Sequence, residues 1–237
     1  MDDVTGGAGS GGERPAEALY AYYPVFRARE GARRMNSRAR DGALHEFEMV
    51  LKELGDAVTL RGSYSCAGLR PDADLMLWLV APSPDEVQEA VVSMRRTELG
   101  AALELTHAFM GLVRPAEFTP DHAPAFVRGE PPRAYLCVYP FVRTPEWYLL
   151  PAEERGELLR EHGEVGRRFP DVLANTTSAF GLSDWEWILA FEADDLGRIV
   201  DCIRALRGAA ARRYTKEEVP FITGIRKSLP EALADLA

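Results

Sequence analysis

Two stretches of this chain, 116 positions apart, close on one signature. Tyr20-Ala-Tyr-Tyr-Pro-Val-Phe-Arg27 and Leu136-Cys-Val-Tyr-Pro-Phe-Val-Arg143 both end in Tyr-Pro-x-x-Arg. A second correspondence follows each: Asp74–Ala81 with a helix over 84–99 parallels Asp184–Phe191 with a helix from Asp194. A chain that repeats at half its length folds as two copies of one unit that bury a face against each other. Each copy reads strand, helix, strand, strand, helix, strand. The first places strands near 18–26, 57–65, 73–81 and 106–113, with helices over 36–55 and 84–99. The second places strands near 133–142, 172–181, 184–192 and 220–226, with helices over 151–168 and 194–213. That order is the split ferredoxin-like motif. The expected fold is α+β: two antiparallel sheets face to face, helices outside, an arrangement that allows a pocket between the sheets. Asp85 and Asp194 suit the first turns of their helices, and Pro151 suits a first helical position. Residues 1–16 have too little to bury and read as a disordered tail. The halves are then 17–113 and 133–237, joined by a Pro-rich linker, 114–132, that carries His122.

The net charge of −9 repels polyanions, which argues against a nucleic-acid or membrane-surface binder, so an anionic ligand needs a locally basic pocket. The longest apolar run, near Leu75–Ala81, is far too short to span a bilayer. The acidic, Gly-rich start lacks the pattern of a secretion signal, and Cys66, Cys137 and Cys202 are too widely spaced for a disulfide framework or a zinc knuckle. A cytoplasmic protein with reduced thiols is expected.

Four histidines narrow the chemistry. His162 sits beside Gly163 late in a charged helix, facing a strand that carries Tyr139. One neutral imidazole, a glycine that leaves room for a macrocycle and an oxidisable phenol are what a haem-type iron site uses. On spacing alone, His162 reads first as a surface or half-buried helix residue and Trp147 as a core anchor, and Tyr139 also reads as a cross-strand aromatic. His45, 22 residues after Tyr23, and His107, within a strand, read as structural; His122 reads as an exposed loop residue. Arg143, Arg212 and Arg213 are either surface charges or partners for carboxylates. Phosphate-loop and Gly-x-Ser-x-Gly signatures are missing, so nucleotide and acyl-transfer chemistry drop out.

Tyr139-Pro-Phe-Val-Arg143, Glu146-Trp147-Tyr148, Pro151-Ala-Glu-Glu-Arg155, His162-Gly163 and Asp184-Trp-Glu-Trp187 together resemble the chlorite dismutase-like superfamily, and within it the coproheme decarboxylases of actinobacterial type. The resemblance covers roughly residues 17–228 and implies a dimeric α+β barrel assembled as a homopentamer. It implies that hydrogen peroxide drives the oxidative loss of two propionates from Fe-coproporphyrin III (coproheme), giving haem b. It implies His162 as the iron ligand, Tyr139 as the residue that becomes a radical, and His122 as the base that deprotonates peroxide. Arg143, Trp147 and either Arg212 or Arg213, with Arg213 preferred, would meet the porphyrin. It also leaves room for a transient contact with coproporphyrin ferrochelatase. Where chlorite-degrading relatives carry a distal arginine, the register points to Ala174. The alternatives within reach are a haem peroxidase or chlorite dismutase of the same fold, or a non-catalytic haem-binding protein.

Overall fold

A computed structural model describes residues 18–114 and 123–236. The tail expected over 1–16, and His122, lie outside the described residues. The first half runs β1 (Tyr20–Ala28), α1 (Glu30–Arg33), α2 (Ser37–Glu53), β2 (Thr59–Arg70), β3 (Ala73–Ala81), α3 (Pro84–Arg96), α4 (Glu98–Ala101) and β4 (Leu103–Leu112). The second runs β5 (Tyr135–Arg143), α5 (Pro145–Leu149), α6 (Ala152–Gly166), β6 (Leu173–Ser178), β7 (Trp187–Ala193), α7 (Leu196–Leu206), β8 (Thr215–Glu217), β9 (Ile222–Lys227) and α8 (Leu229–Ala234). The order β7-β6-β4-β1-β3-β2-β9-β5 closes on itself through a β5–β7 pairing, with β8 as a side ribbon on β5. Every pairing is antiparallel, and each half has the same internal order, so the chain is an α+β barrel of two ferredoxin-like repeats. The halves join where β2 pairs with β9 and where β4 meets β6 at Leu112 and Ser178. Gly111 permits the second joint, because a Cβ there would stand 1.9 Å from Thr177 Oγ1.

Period-2 alternation separates three cores. The barrel interior holds Tyr23, Val25, Tyr64, Trp78, Phe109, Leu136, Val138 and Ile188. Outside the first sheet, Tyr22, Phe26, Leu77 and Leu79 pack on the helices through Phe47, Val87 and Met94. Outside the second, Cys137, Tyr139 and Phe191 pack on Ile199 and Cys202 of α7. The interior is therefore packed, and the pocket allowed between the sheets is not where a cleft opens.

The repeat is also one residue out of step with its sequence signature. Tyr23 points into the barrel, whereas Tyr139 points outward to the helices. The residue that shares Tyr139's face is Tyr22: it pairs with Leu79 as Tyr139 pairs with Leu189. A slip of one residue exchanges the faces of a strand. Counted from Tyr22, His45 falls 23 positions on, as His162 does from Tyr139, yet His45 is exposed.

Local signals account for most helix ends. Ser83 and Glu86 form a reciprocal capping box at α3. At α7 the cap is Asp195, whose Oδ1 accepts the Gly197 N–H at 2.8 Å; the expected Asp194 accepts the Ala134 N–H instead. Pro151 is the N-cap of α6 rather than its first residue. The helix expected over 194–213 stops at Leu206, because Gly208 is a poor helix former, and the chain turns through Ala210–Tyr214 into β8.

One end of the barrel is sealed by a polar network. Arg61 Nη2 donates to Glu192 Oε1 at 2.7 Å across the interior, and its guanidinium lies 4.6 Å over the Trp78 ring. Asn175 and the Arg133 N–H also donate to Glu192, whose side chain is fully buried. The described end of the expected linker is tied here: Phe126 packs edge-on against Trp78, its N–H donates to Asn175, and Ala125 N–H donates to the Ala174 carbonyl. Removing one partner of a buried ion pair strands the other. Arg61→Ala is therefore expected to cost about 3 kcal/mol or more in denaturant unfolding. An unchanged midpoint would mean that the pair does not hold the barrel end.

Candidate ligand cleft

The two halves differ in the helix that follows their first strand. In the first, α2 seals the sheet with Ala43 and Phe47, both buried. Its counterpart α6 buries no residue. It stands off the second sheet, and the gap beneath it is a cleft lined by Tyr139, Phe141 and Arg143 of β5, Leu189 of β7, His162 of α6, and Ile203, Leu206, Arg207, Arg212 and Glu218 beyond. Tyr139, Phe141 and Arg143 share this face because they alternate along one strand.

Each polar group is set by its surroundings. Burial, and then the nearby Arg143 cation, hold the His162 imidazole below its ordinary pKa, so it is neutral at neutral pH and free to ligate a metal. The sign is testable: in ligand-free protein the ring should take up its proton only below about 6.5. An NMR titration of His162 with a midpoint at or above that value would contradict the burial. Tyr139 stacks on Phe221 at 4.4 Å, and burial, reinforced by the Glu218 charge, pushes its phenol well above 10, so it keeps its proton. Arg143 Nη1 donates to the Ala211 carbonyl at 3.0 Å, and its guanidinium lies 4.2 Å over Trp147. Arg143 N–H and the Tyr148 hydroxyl both donate to Glu186 Oε2, bracing the end of β5.

The structure thus brings together His162, Tyr139 and Arg143. Trp147 stands behind Arg143 rather than on the cleft wall. Of the neighbouring arginines, Arg212 lines the cleft, and Arg213, the one preferred from the resemblance, is not among its lining residues; both stand on the turn Ala210–Tyr214 that follows α7. Arg207 and Glu218 also line the cleft and were missed. Neither carries a sequence signal, since both depend on where α7 ends. Ala174 packs on the helix side of the second sheet. His107 is a half-buried sheet residue 3.2 Å from Thr106 Oγ1 and stacked on Phe109, and the three cysteines are free and buried.

These residues suit an iron porphyrin. A macrocycle supplies four ligands of its own, so one neutral imidazole suffices, and among the described residues no three metal-ligating side chains cluster. Phe141, Leu189, Ile203 and Leu206 offer apolar surface to a ring, and three arginines can meet carboxylates. A Cβ on Gly163 would meet nothing nearer than Arg167 Nη1 at 3.7 Å, so space is open beside the imidazole. The cavity between α6 and the sheet is narrow, about 70 Å³.

A closed antiparallel barrel of two ferredoxin-like halves, with a cleft under one helix, defines a dimeric α+β barrel protein. The chain belongs to the chlorite dismutase family, whose model matches residues 40–227. A coproheme decarboxylase of Mycolicibacterium smegmatis is 50% identical over 199 residues, 83% of this chain and 86% of that protein. The chlorite dismutase of Candidatus Nitrospira defluvii in complex with imidazole shares the fold with a TM-score of 0.84 and 21% identity, over 92% of this chain and 94% of that one. A variant of the same enzyme in complex with cyanide gives a TM-score of 0.84 and 22% identity over the same shares.

Proposed function

We propose that this protein is a coproheme decarboxylase that converts the iron complex of coproporphyrin III to haem b with hydrogen peroxide. The observation that carries the reading is one cleft lined by a neutral histidine, a protonated buried tyrosine and three arginines. The half-identical coproheme decarboxylase supports the substrate. Each reactive propionate, with one peroxide and one proton, gives a vinyl group, CO2 and two waters.

Bound as substrate, the iron porphyrin supplies the oxidising equivalents once it meets peroxide. His162 ligates the iron and fixes the ring under α6. Arg143, held against Trp147 and the Ala211 carbonyl, pairs with a propionate and aims it. Tyr139 gives up its phenolic hydrogen and then takes one from the propionate carbon that becomes vinyl; the second oxidising equivalent of the peroxide, held by the substrate's iron, takes the one electron left over as the carboxylate departs as CO2. The walls of the narrow cleft keep water from that radical. His122 takes the peroxide proton. Ala125 donates its N–H to the Ala174 carbonyl, and at Ala174 no arginine is present to favour chlorite chemistry.

Loaded with iron coproporphyrin III and titrated with peroxide, the protein should show two successive losses of CO2 and two hydrogens by mass spectrometry, ending at haem b. Bleaching of unchanged substrate would overturn the reading.

A further inference from the structure

The three arginines of the cleft are held in two different ways. Arg143 rests on a ring face and a backbone carbonyl, groups that a carboxylate ligand does not replace. Arg207 and Arg212 are held by a carboxylate. Arg207 Nη2 lies 2.8 Å from Glu218 Oε2, and Arg212 Nη1 lies 2.6 Å from the same oxygen. Two guanidinium groups thus converge on one carboxylate-sized point in the wall of the cleft. The three side chains are 41, 36 and 18% exposed, but the meeting atoms Arg212 Nη1 and Glu218 Oε2 are buried, so a ligand carboxylate reaches them only by displacing Glu218. They come from the C-cap of α7, the turn behind it and the residue after β8, and no regular element holds them as a block. Glu218, Arg207 and Arg212 line the same narrow cleft as Tyr139.

From this geometry we infer that Glu218 is a built-in competitor for the substrate: it occupies Arg207 and Arg212 in the ligand-free protein, yields them to a reactive propionate, and reclaims them when that propionate has left as CO2. The inference rests on the proposed function and adds a device for telling substrate from product. Exchanging one carboxylate for another leaves both arginines paired at each stage, while the displaced Glu218, already 18% exposed, turns its charge out to solvent. The tetracarboxylate substrate must displace Glu218. The dicarboxylate product, lacking the reactive propionates, leaves the Glu218 pairs as they are in the free protein.

The test is equilibrium uptake without peroxide, read from the absorption of the porphyrin. Wild type, Glu218→Gln and Glu218→Ala are each titrated with iron coproporphyrin III and with haem b, after thermal melts establish which variants are folded. The expected result is a selective tightening for the tetracarboxylate of on the order of tenfold, equivalent to about 1.4 kcal/mol, with haem b affinity unchanged. Unchanged or weaker binding of coproporphyrin would show that Glu218 only braces the arginines, and equal tightening for both porphyrins would show that it does not exchange with a reactive carboxylate. Either result overturns the inference and leaves the proposed function standing. If the wild type takes up neither porphyrin, the proposed function fails and the inference falls with it.

Discussion

Phenylalanine at position 139 should give a folded protein that takes up iron coproporphyrin III and makes no haem b. The Tyr139 ring is almost fully buried, stacked on Phe221 and close to Phe191, and Tyr139→Phe keeps every one of those ring contacts. Loss of one hydroxyl should change stability by no more than about 1 kcal/mol. The chemistry has no substitute for it, because phenylalanine has no hydrogen that a bound oxidant can remove and return. Turnover should fall by at least on the order of a thousandfold, or about 4 kcal/mol in the barrier. Mass spectrometry of the porphyrin after peroxide, alongside a binding titration, separates the two effects. Normal conversion in this variant would remove the tyrosine from the reaction.

His162→Ala should be the other large loss, and of a different kind. The imidazole is half-buried on a helix with no buried residue, and alanine is the best helix former, so the fold should stand. What goes is the protein's bond to iron. Affinity for the porphyrin should drop by at least about tenfold, 1.4 kcal/mol or more. The arginines would still hold its carboxylates, and decarboxylation should be lost. Imidazole added to the solution should restore part of the ligated spectrum. A variant whose spectrum matches the wild type would show that another group holds the iron.

Much of the architecture was legible because it is written in periodicity. Alternation along 136–143 places Leu136 and Val138 inside the barrel and Tyr139, Phe141 and Arg143 outside. Position within the repeat was harder to read. The signature Tyr-Pro-x-x-Arg aligns Tyr23 with Tyr139, but burial acts on faces and not on letters, and the equivalent residue is Tyr22. The asymmetry that opens the cleft was also present in the sequence. The helix Ser37–Glu53 offers Leu44, Phe47, Met49, Val50 and Leu51, whereas Ala152–Gly166 offers only Leu158, Leu159 and Val165 as large apolar residues. A helix so poor in apolar residues cannot seal a sheet. The rim was not legible. Arg207, Arg212 and Glu218 meet only because α7 ends two residues before Gly208 and the chain doubles back through a short turn and ribbon, and no local pattern encodes that meeting.

The central claim is that His162 binds the iron of a porphyrin lying in the cleft beneath α6. Its most direct test is the resonance Raman spectrum of the protein loaded with iron coproporphyrin III and reduced under anaerobic conditions. The account predicts an iron–histidine stretching band in the wild type that disappears in His162→Ala. A band that survives the substitution, or wild-type protein that binds the porphyrin without such a band, would contradict it.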